Sequence, residues 1–416
     1  MTDGSTRKPT AALEGVTVLE VPGTLSAYTG KLLADLGARV ILVEPRAGTR
    51  GRWAPPLIRG ADDRDGDASL AFGYYNTSKQ SITLDLDHPR GQQVFRRLAA
   101  TASLVLESER PGTMRRRGLD HAALAASAPA LVSVSVTPFG ASGPYADYEG
   151  EDIVLLALGG LLSLAGFIDS APTRVWGNQA VLAAAQFAAV GALAALLHAE
   201  AHGEGQLVDV AAQQCVVMAL ENAAQFADLE GTVRKRAGGA VRYAGTGIFP
   251  CTDGEVFVMA AGVGEPRFWQ NTVAWLRSEG VAAVEEIADD KWRDFRFLAT
   301  DPAKAVFNRI FAPFAATRSL KYLYHEGQRR GVPIAPMSSP SDLVRNDQLN
   351  ARGHFTPFEH PSAPPGALMP GAPYAMSQTP AHSGRAPRRG EHTDAVLAAA
   401  GFDAGEIKAL RAEEVL

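Results

Sequence analysis

The chain has 416 residues, 46% of them hydrophobic and 20% charged, with a formal net charge of −5. That length accommodates two or more domains with separate cores, and the acidic balance excludes a non-specific nucleic-acid binder, which needs a basic surface to meet a polyanion. Two cysteines, Cys215 and Cys251, exclude a disulfide framework and the paired thiols of a zinc or redox motif. They fit a reducing, cytoplasmic location. The opening MTDGSTRKPTAALEG has no apolar run of the kind a secretory leader carries, so secretion is not expected.

In chain order, VTVLEV (16–21), YTGKLLADLGA (28–38) and RVILVE (39–44) read as strand, helix and strand. SITLDL (81–86), a helix over 89–100 and SLVLES (103–108) make a second such unit. A helix over 119–126 and LVSVSV (131–136) make a third. Apolar runs of strand length separated by helical periodicity predict a doubly wound parallel α/β domain. No GxGxxG follows the first strand, so dinucleotide binding is not supported. Ala180 to Leu197 is apolar except for Gln186 and approaches the length of a membrane span. Alanine contributes little transfer energy, however, and the run leads directly into His198, Glu200 and His202, so a buried, closely packed helix is expected and no membrane association.

Beyond this helix the texture changes. Residues 229–243 predict an exposed basic loop, and GIFPCTDGEVFVMAAG predicts a hairpin turning at Asp253 and Gly254. Pro333 and Pro336 in GVPIAPM predict a return linker, 357–380 an extended arm and 394–412 a closing helix pair. The expected organisation is a large α/β domain over 1–224, a small α+β domain over 225–328, and a linker and return to the large domain over 329–416.

Several motifs in this order resemble family III CoA-transferases, the formyl-CoA and carnitinyl-CoA transferase type, together with the related α-methylacyl-CoA racemases. They are LADLGARVILVE (33–44), NTSKQSITLDL (76–86), ERPGTMRRRGL (109–119), FGASGPY (139–145), GEGQLVDV (203–210), PCTDGEVFVM (250–259), GVPIAPM (331–337) and GEHT (390–393). The resemblance implies a Rossmann-like large domain, an interlocked dimer whose ring-shaped chains thread one another, and acyl-CoA and a carboxylic acid as substrates. It implies no permanently bound cofactor and no metal. Carried over by motif, Asn76, Lys79, Ser108, Arg110, Arg116 and Thr137 are the CoA-contact candidates. The phosphates of CoA call for such fixed cations on an acidic protein.

The same resemblance places the family's nucleophilic aspartate ten residues before the glycine of the Ala-rich helix. That glycine is Gly191, and the position holds Val181. A carboxylate can attack a thioester and then carry CoA; an isopropyl group cannot. Two readings follow. The chain is the Asp-lacking subunit of a CoA-transferase, in a homodimer or paired with an Asp-bearing homologue, or it is an acyl-CoA racemase or isomerase. In the second case Glu151, where the racemases have histidine, and Glu265, in a motif resembling their Gly-x-x-Glu-Pro-x-Phe, would form the acid/base pair. A non-catalytic acyl-CoA-binding protein is a third reading. Asp152 is read as an N-cap for the helix starting at Ile153, and His198 and His202 as a surface pair, since they lack the HExxH context.

Overall fold

Six short segments form one parallel sheet, described in a computed structural model that covers residues 11–58, 66–239, 241–261, 266–360 and 363–416. They are β1 (Thr17–Glu20), β2 (Arg39–Glu44), β3 (Gln80–Thr83), β4 (Leu104–Glu107), β5 (Val132–Thr137) and β6 (Leu207–Ala211), in the order β3-β2-β1-β4-β5-β6. The inner strands are apolar on both faces because helices cover both, which is why they read as continuous runs. Five of the six follow the expected segments. β6 lay hidden because LVDVA is an edge strand whose first residues are not buried. It is drawn against β5 by Gly205, where a Cβ would lie 2.0 Å from the Leu131 carbonyl oxygen.

The helix Gln179–His202 lies on β5 and β6. Ala180, Ala184, Ala188, Ala192, Ala195 and Ala199 form its buried face, at the three- and four-residue spacing of one helix side. Small side chains permit the close approach: a Cβ on Gly191 would stand 2.9 Å from Val208 Cγ1. Length and composition alone would suit a membrane span. Here the alanine face instead joins the core of the sheet domain, while Phe187, Val190 and Leu197 are exposed on the other side.

Two carboxylates close the ends of β1 and β2, and both are fully buried. Glu44 receives Arg52 bidentately at 2.8 and 2.7 Å, and Ser81 Oγ donates to it at 2.6 Å. Glu20 lies 2.7 Å from Lys79 Nζ. That pairing is a charge contact, since neither Glu20 oxygen has a well-aligned donor among the described residues. Lys79 spends its own donors on Ala27 O and Asn76 Oδ1 at 2.8 and 2.9 Å. Burial pushes the Glu20 carboxyl up and the Lys79 ammonium down, and each partner's charge partly offsets the shift in the other.

Residues 237–350 form a second unit with its own core. Its sheet is antiparallel, with β7 (Thr246–Cys251), β8 (Gly254–Met259) and β9 (Ile334–Pro336) in that order. The hairpin turns at Thr252 and Asp253, with Cys251 opposite Gly254. Trp269 stacks on Trp292 at 5.2 Å between centroids, beside Phe307 and Phe311. These bounds differ from the expected 225–328 at both ends. The helix Ala223–Glu230 belongs to the first unit, and GVPIAPM is no linker, because Ile334 enters the core and its strand pairs with β8. Residues 351–416 return to the first unit, where His392 N donates to Ser81 O at 2.8 Å and Asp85 N to Val415 O at 2.8 Å. The expected arm over 357–380 includes part of a short antiparallel pair, Phe355–Pro357 with Leu368–Pro370. The closing helices are Thr393–Ala399 and Ala404–Ala412.

Lys79→Met should leave Glu20 buried and uncompensated, costing about 3–5 kcal/mol in chemical denaturation. The double variant with Glu20→Gln should recover much of that loss. An unchanged midpoint in the single variant would show that the pair carries no structural weight.

Candidate functional site

In a sheet of this order the chain leaves β1 in opposite directions toward β2 and β4, opening a crevice beyond the C-terminal ends of those strands. Two cavities occupy it, of about 560 and 540 Å3. The first is bounded by the turns after β1, β2 and β3 and by the helix Leu70–Tyr75. The second is bounded by the turn after β4, by Pro138 beyond β5, and by the segment 146–152. Gly23, Thr24, Arg50, Glu109, Asn178 and Val181 line both. Gly23 has to be glycine: a Cβ there would stand 1.8 Å from Ser108 Oγ, so only a bare backbone lets the β1 turn pass the end of β4.

Val181 sits in the first turn of the long helix and is 4% exposed. What fixes that turn is Asp152. Its Oδ1 accepts from Ala180 N at 2.8 Å and Val181 N at 3.4 Å, while Oδ2 meets Arg174 Nη2 at 3.4 Å. The carboxylate therefore caps a helix remote in sequence and complements its dipole. Asp152 is itself the first residue of the helix Asp152–Leu158, with Glu151 at its N-cap, so the cap expected for its own helix goes to another. Arg174 also donates to Gly177 O and Asn178 Oδ1, both at 3.1 Å, which positions Asn178 at the wall common to the two cavities.

The expected site residues separate into three groups. Asn76 lines the first cavity, and Ser108, Arg110, Arg116 and Glu151 line the second. Lys79 and Thr137 line neither. Lys79 is committed to Glu20, and the buried Thr137 Oγ1 accepts from Gly140 N at 2.9 Å, holding the turn after β5. Glu265 lies outside the described residues. Cys215 is buried, which pushes its thiol up to about 11 and keeps it protonated. His198 and His202 stack at 4.5 Å on the helix surface, and the described residues contain no metal-binding cluster.

Charge within the arginine run is unevenly committed. Arg117 donates to Asp87 at 2.7 Å and Glu109 at 3.0 Å, which holds the Asp87 carboxyl below its usual range. Arg110 pairs with Glu149, Arg115 with Asp120, and among the described residues Arg116 donates only to Thr113 Oγ1. Arg50 has no hydrogen bond, ion pair or ring contact among the described residues, yet lines both cavities. Sequence reasoning missed it and Asn178. The available signals were a cation just past the end of the second strand of a doubly wound pattern, and a side-chain amide at a helix start.

Asp152→Ala should destabilise the protein by about 1–2 kcal/mol, the range for loss of a helix cap. Asp152→Asn, which keeps the accepting oxygen, should lose less in the same urea titration. Equal stability of all three forms would remove the cap from the account.

The family model for CoA-transferase family III matches residues 13–393. The chain is 40% identical to the succinyl-CoA:(R)-benzylsuccinate CoA-transferase subunit BbsE of Thauera aromatica, across 94% of each chain. It is 32% identical to a succinate–glutarate CoA-transferase of Agrobacterium fabrum, across 96% of this chain and 97% of that one. A succinyl-CoA–L-malate CoA-transferase alpha subunit of Chloroflexus aurantiacus is 30% identical, across 97% of this chain and 92% of the relative. Among solved structures, a CAIB/BAIF family protein from Brucella suis superposes with a TM-score of 0.77 at 28% identity, across 93% of this chain and 99% of that chain.

Proposed function

The chain belongs to CoA-transferase family III, and from that premise we propose that it is the subunit without a nucleophile in a heteromeric enzyme that moves CoA between carboxylic acids. Val181 carries the reading. It stands at the helix turn where the family resemblance puts the aspartate, on the wall shared by both cavities. In the family's chemistry a carboxylate attacks the acyl-CoA carbonyl, expels CoA thiolate and leaves a mixed anhydride. The thiolate then returns to the enzyme acyl group and frees the donor acid. The acceptor acid takes the enzyme's place in a second, reverse exchange. A valine side chain can enter none of these steps.

The partner in this reading is an Asp-bearing homologue in an interlocked assembly, and the cell compartment is the cytoplasm. Two of the relatives carry the word subunit in their names, which supports a division of labour between unlike chains. All three relatives are named for succinyl-CoA or succinate, which supports succinyl-CoA as donor. In this chain CoA is a substrate, its phosphates met in the second cavity by Arg116 and Arg110 with Ser108 beside them, and Asn76 faces the adjoining space. Five of the wall carboxylates are poor substitutes for the missing nucleophile: Glu20 is buried against Lys79, Asp87 and Glu109 are held by Arg117, Glu149 by Arg110, and Asp152 caps the helix.

Native mass spectrometry of the chain purified from its source cell should show a second, homologous chain, and turnover with succinyl-CoA should require it. Rapid transfer by the pure single chain would contradict this. Arg116→Ala should weaken CoA binding by about 1.5–3 kcal/mol, the worth of a charge-assisted hydrogen bond, with the loss blunted by salt. Unchanged calorimetric affinity would remove Arg116 from the site. Deuterium uptake from solvent into an α-methylacyl-CoA, abolished by Glu265→Gln, would favour a racemase instead.

A further inference from the structure

We propose that His198 and His202 chelate one divalent first-row transition-metal ion of the Ni2+, Cu2+ and Zn2+ class, with water completing its coordination. The ionisable side chains of the helix Gln179–His202 are His198, Glu200 and His202, all at its C-terminal end. The two histidines are four positions apart and share one helix face, the spacing at which helical zinc motifs bring two imidazoles to one ion. Their rings already lie 4.5 Å apart between centroids, tilted by 44°. One ion between them needs a nitrogen from each ring at about 2.0–2.1 Å. Both side chains are exposed, so the rings are free to rotate into that arrangement. The backbone beneath them is fixed: Ala195 and Ala199 belong to the core of the sheet domain, and Gly203 N closes the helix by donating to Ala199 O at 2.8 Å.

Charge at this end favours a cation. The helix C-terminus presents the negative end of the dipole. Glu200 and Glu204 have no hydrogen bond or ion pair among the described residues, and residues 191–206 contain no lysine or arginine. The cavity of about 920 Å3 alongside is lined by Glu14 and Glu200 and by no basic residue. Imidazole selects Ni2+, Cu2+ or Zn2+ over Mg2+ and Ca2+, which take oxygen ligands. Three or more protein ligands are not gathered anywhere among the described residues, so this ion closes no tetrahedral centre and has no catalytic step assigned to it. Its effect is local: it ties together the last turn of the helix, from which the chain passes through Gly203 and Gly205 into β6. Val181 lies about 30 Å away along the axis, at about 1.5 Å per residue, which separates this site from both cavities.

Calorimetry on the untagged full chain with NiCl2, and with MgCl2 as the oxygen-seeking control, tests this. Ni2+ should show a saturable tight step of one ion per chain, and Mg2+ none. His198→Ala and His202→Ala should each weaken that step about tenfold or more, because a chelate needs both rings. His325→Ala, which removes an exposed histidine of the second unit, should leave it unchanged. Both helix variants should keep the wild-type circular dichroism spectrum, since the side chains are exposed and alanine is the better helix former. Ni2+ should also raise the melting temperature of the wild type by more than that of either variant. Ni2+ affinity equal to wild type in either helix variant would overturn the proposal, as would the absence of saturable binding.

Discussion

The carboxylate of Asp152 on the first turn of the long helix is the contact from which the site takes its shape. It ties the segment 146–152 to the helix start, neutralises two amide donors that the helix cannot satisfy itself, and through Arg174 draws Asn178 to the cavity wall. Val181 is held where it is by its own backbone N–H. A side chain at that position projects between two cavities at the switch point of the sheet, at the positive end of a helix dipole. Such a place favours an anion. This chain presents an isopropyl group there.

Around this point the protein spends its cations before a ligand arrives. Arg52 goes to Glu44, Lys79 to Glu20 and Arg117 to Asp87 and Glu109, so a count of basic residues in the sequence overstates the positive charge available to phosphates. The pairs have structural work instead, locking the ends of β1, β2 and β3 and the turn after β4. Among the described residues, Arg116 and Arg50 are the cations that reach the cavities without a carboxylate partner, one in the second cavity and one in the wall of both.

Much of the fold was legible because parallel strands buried on both faces write themselves as unbroken apolar runs; LVLE and VSVSVT needed no tertiary information. LVDVA did not show, since an edge strand mixes exposed and buried positions. GVPIAPM was misread because two prolines ordinarily punctuate, whereas here Pro333 precedes and Pro336 ends a three-residue strand at a sheet edge, where proline is tolerated. At the site, local motifs located Asn76, Ser108, Arg110, Arg116 and Val181 near one crevice. They could not reveal that Lys79 is consumed by a carboxylate far away in sequence, or that Asp152 caps a helix other than its own. Both are facts about pairing across the fold.

The account turns on whether this chain ever forms a bond to substrate. Incubating the copurified enzyme with succinyl-CoA, trapping acyl and CoA adducts with hydroxylamine, and weighing each intact chain addresses that directly. The account predicts a modification on the Asp-bearing partner and none on this chain. A hydroxylamine-sensitive adduct on this chain, mapped to any of its carboxylates, would contradict it.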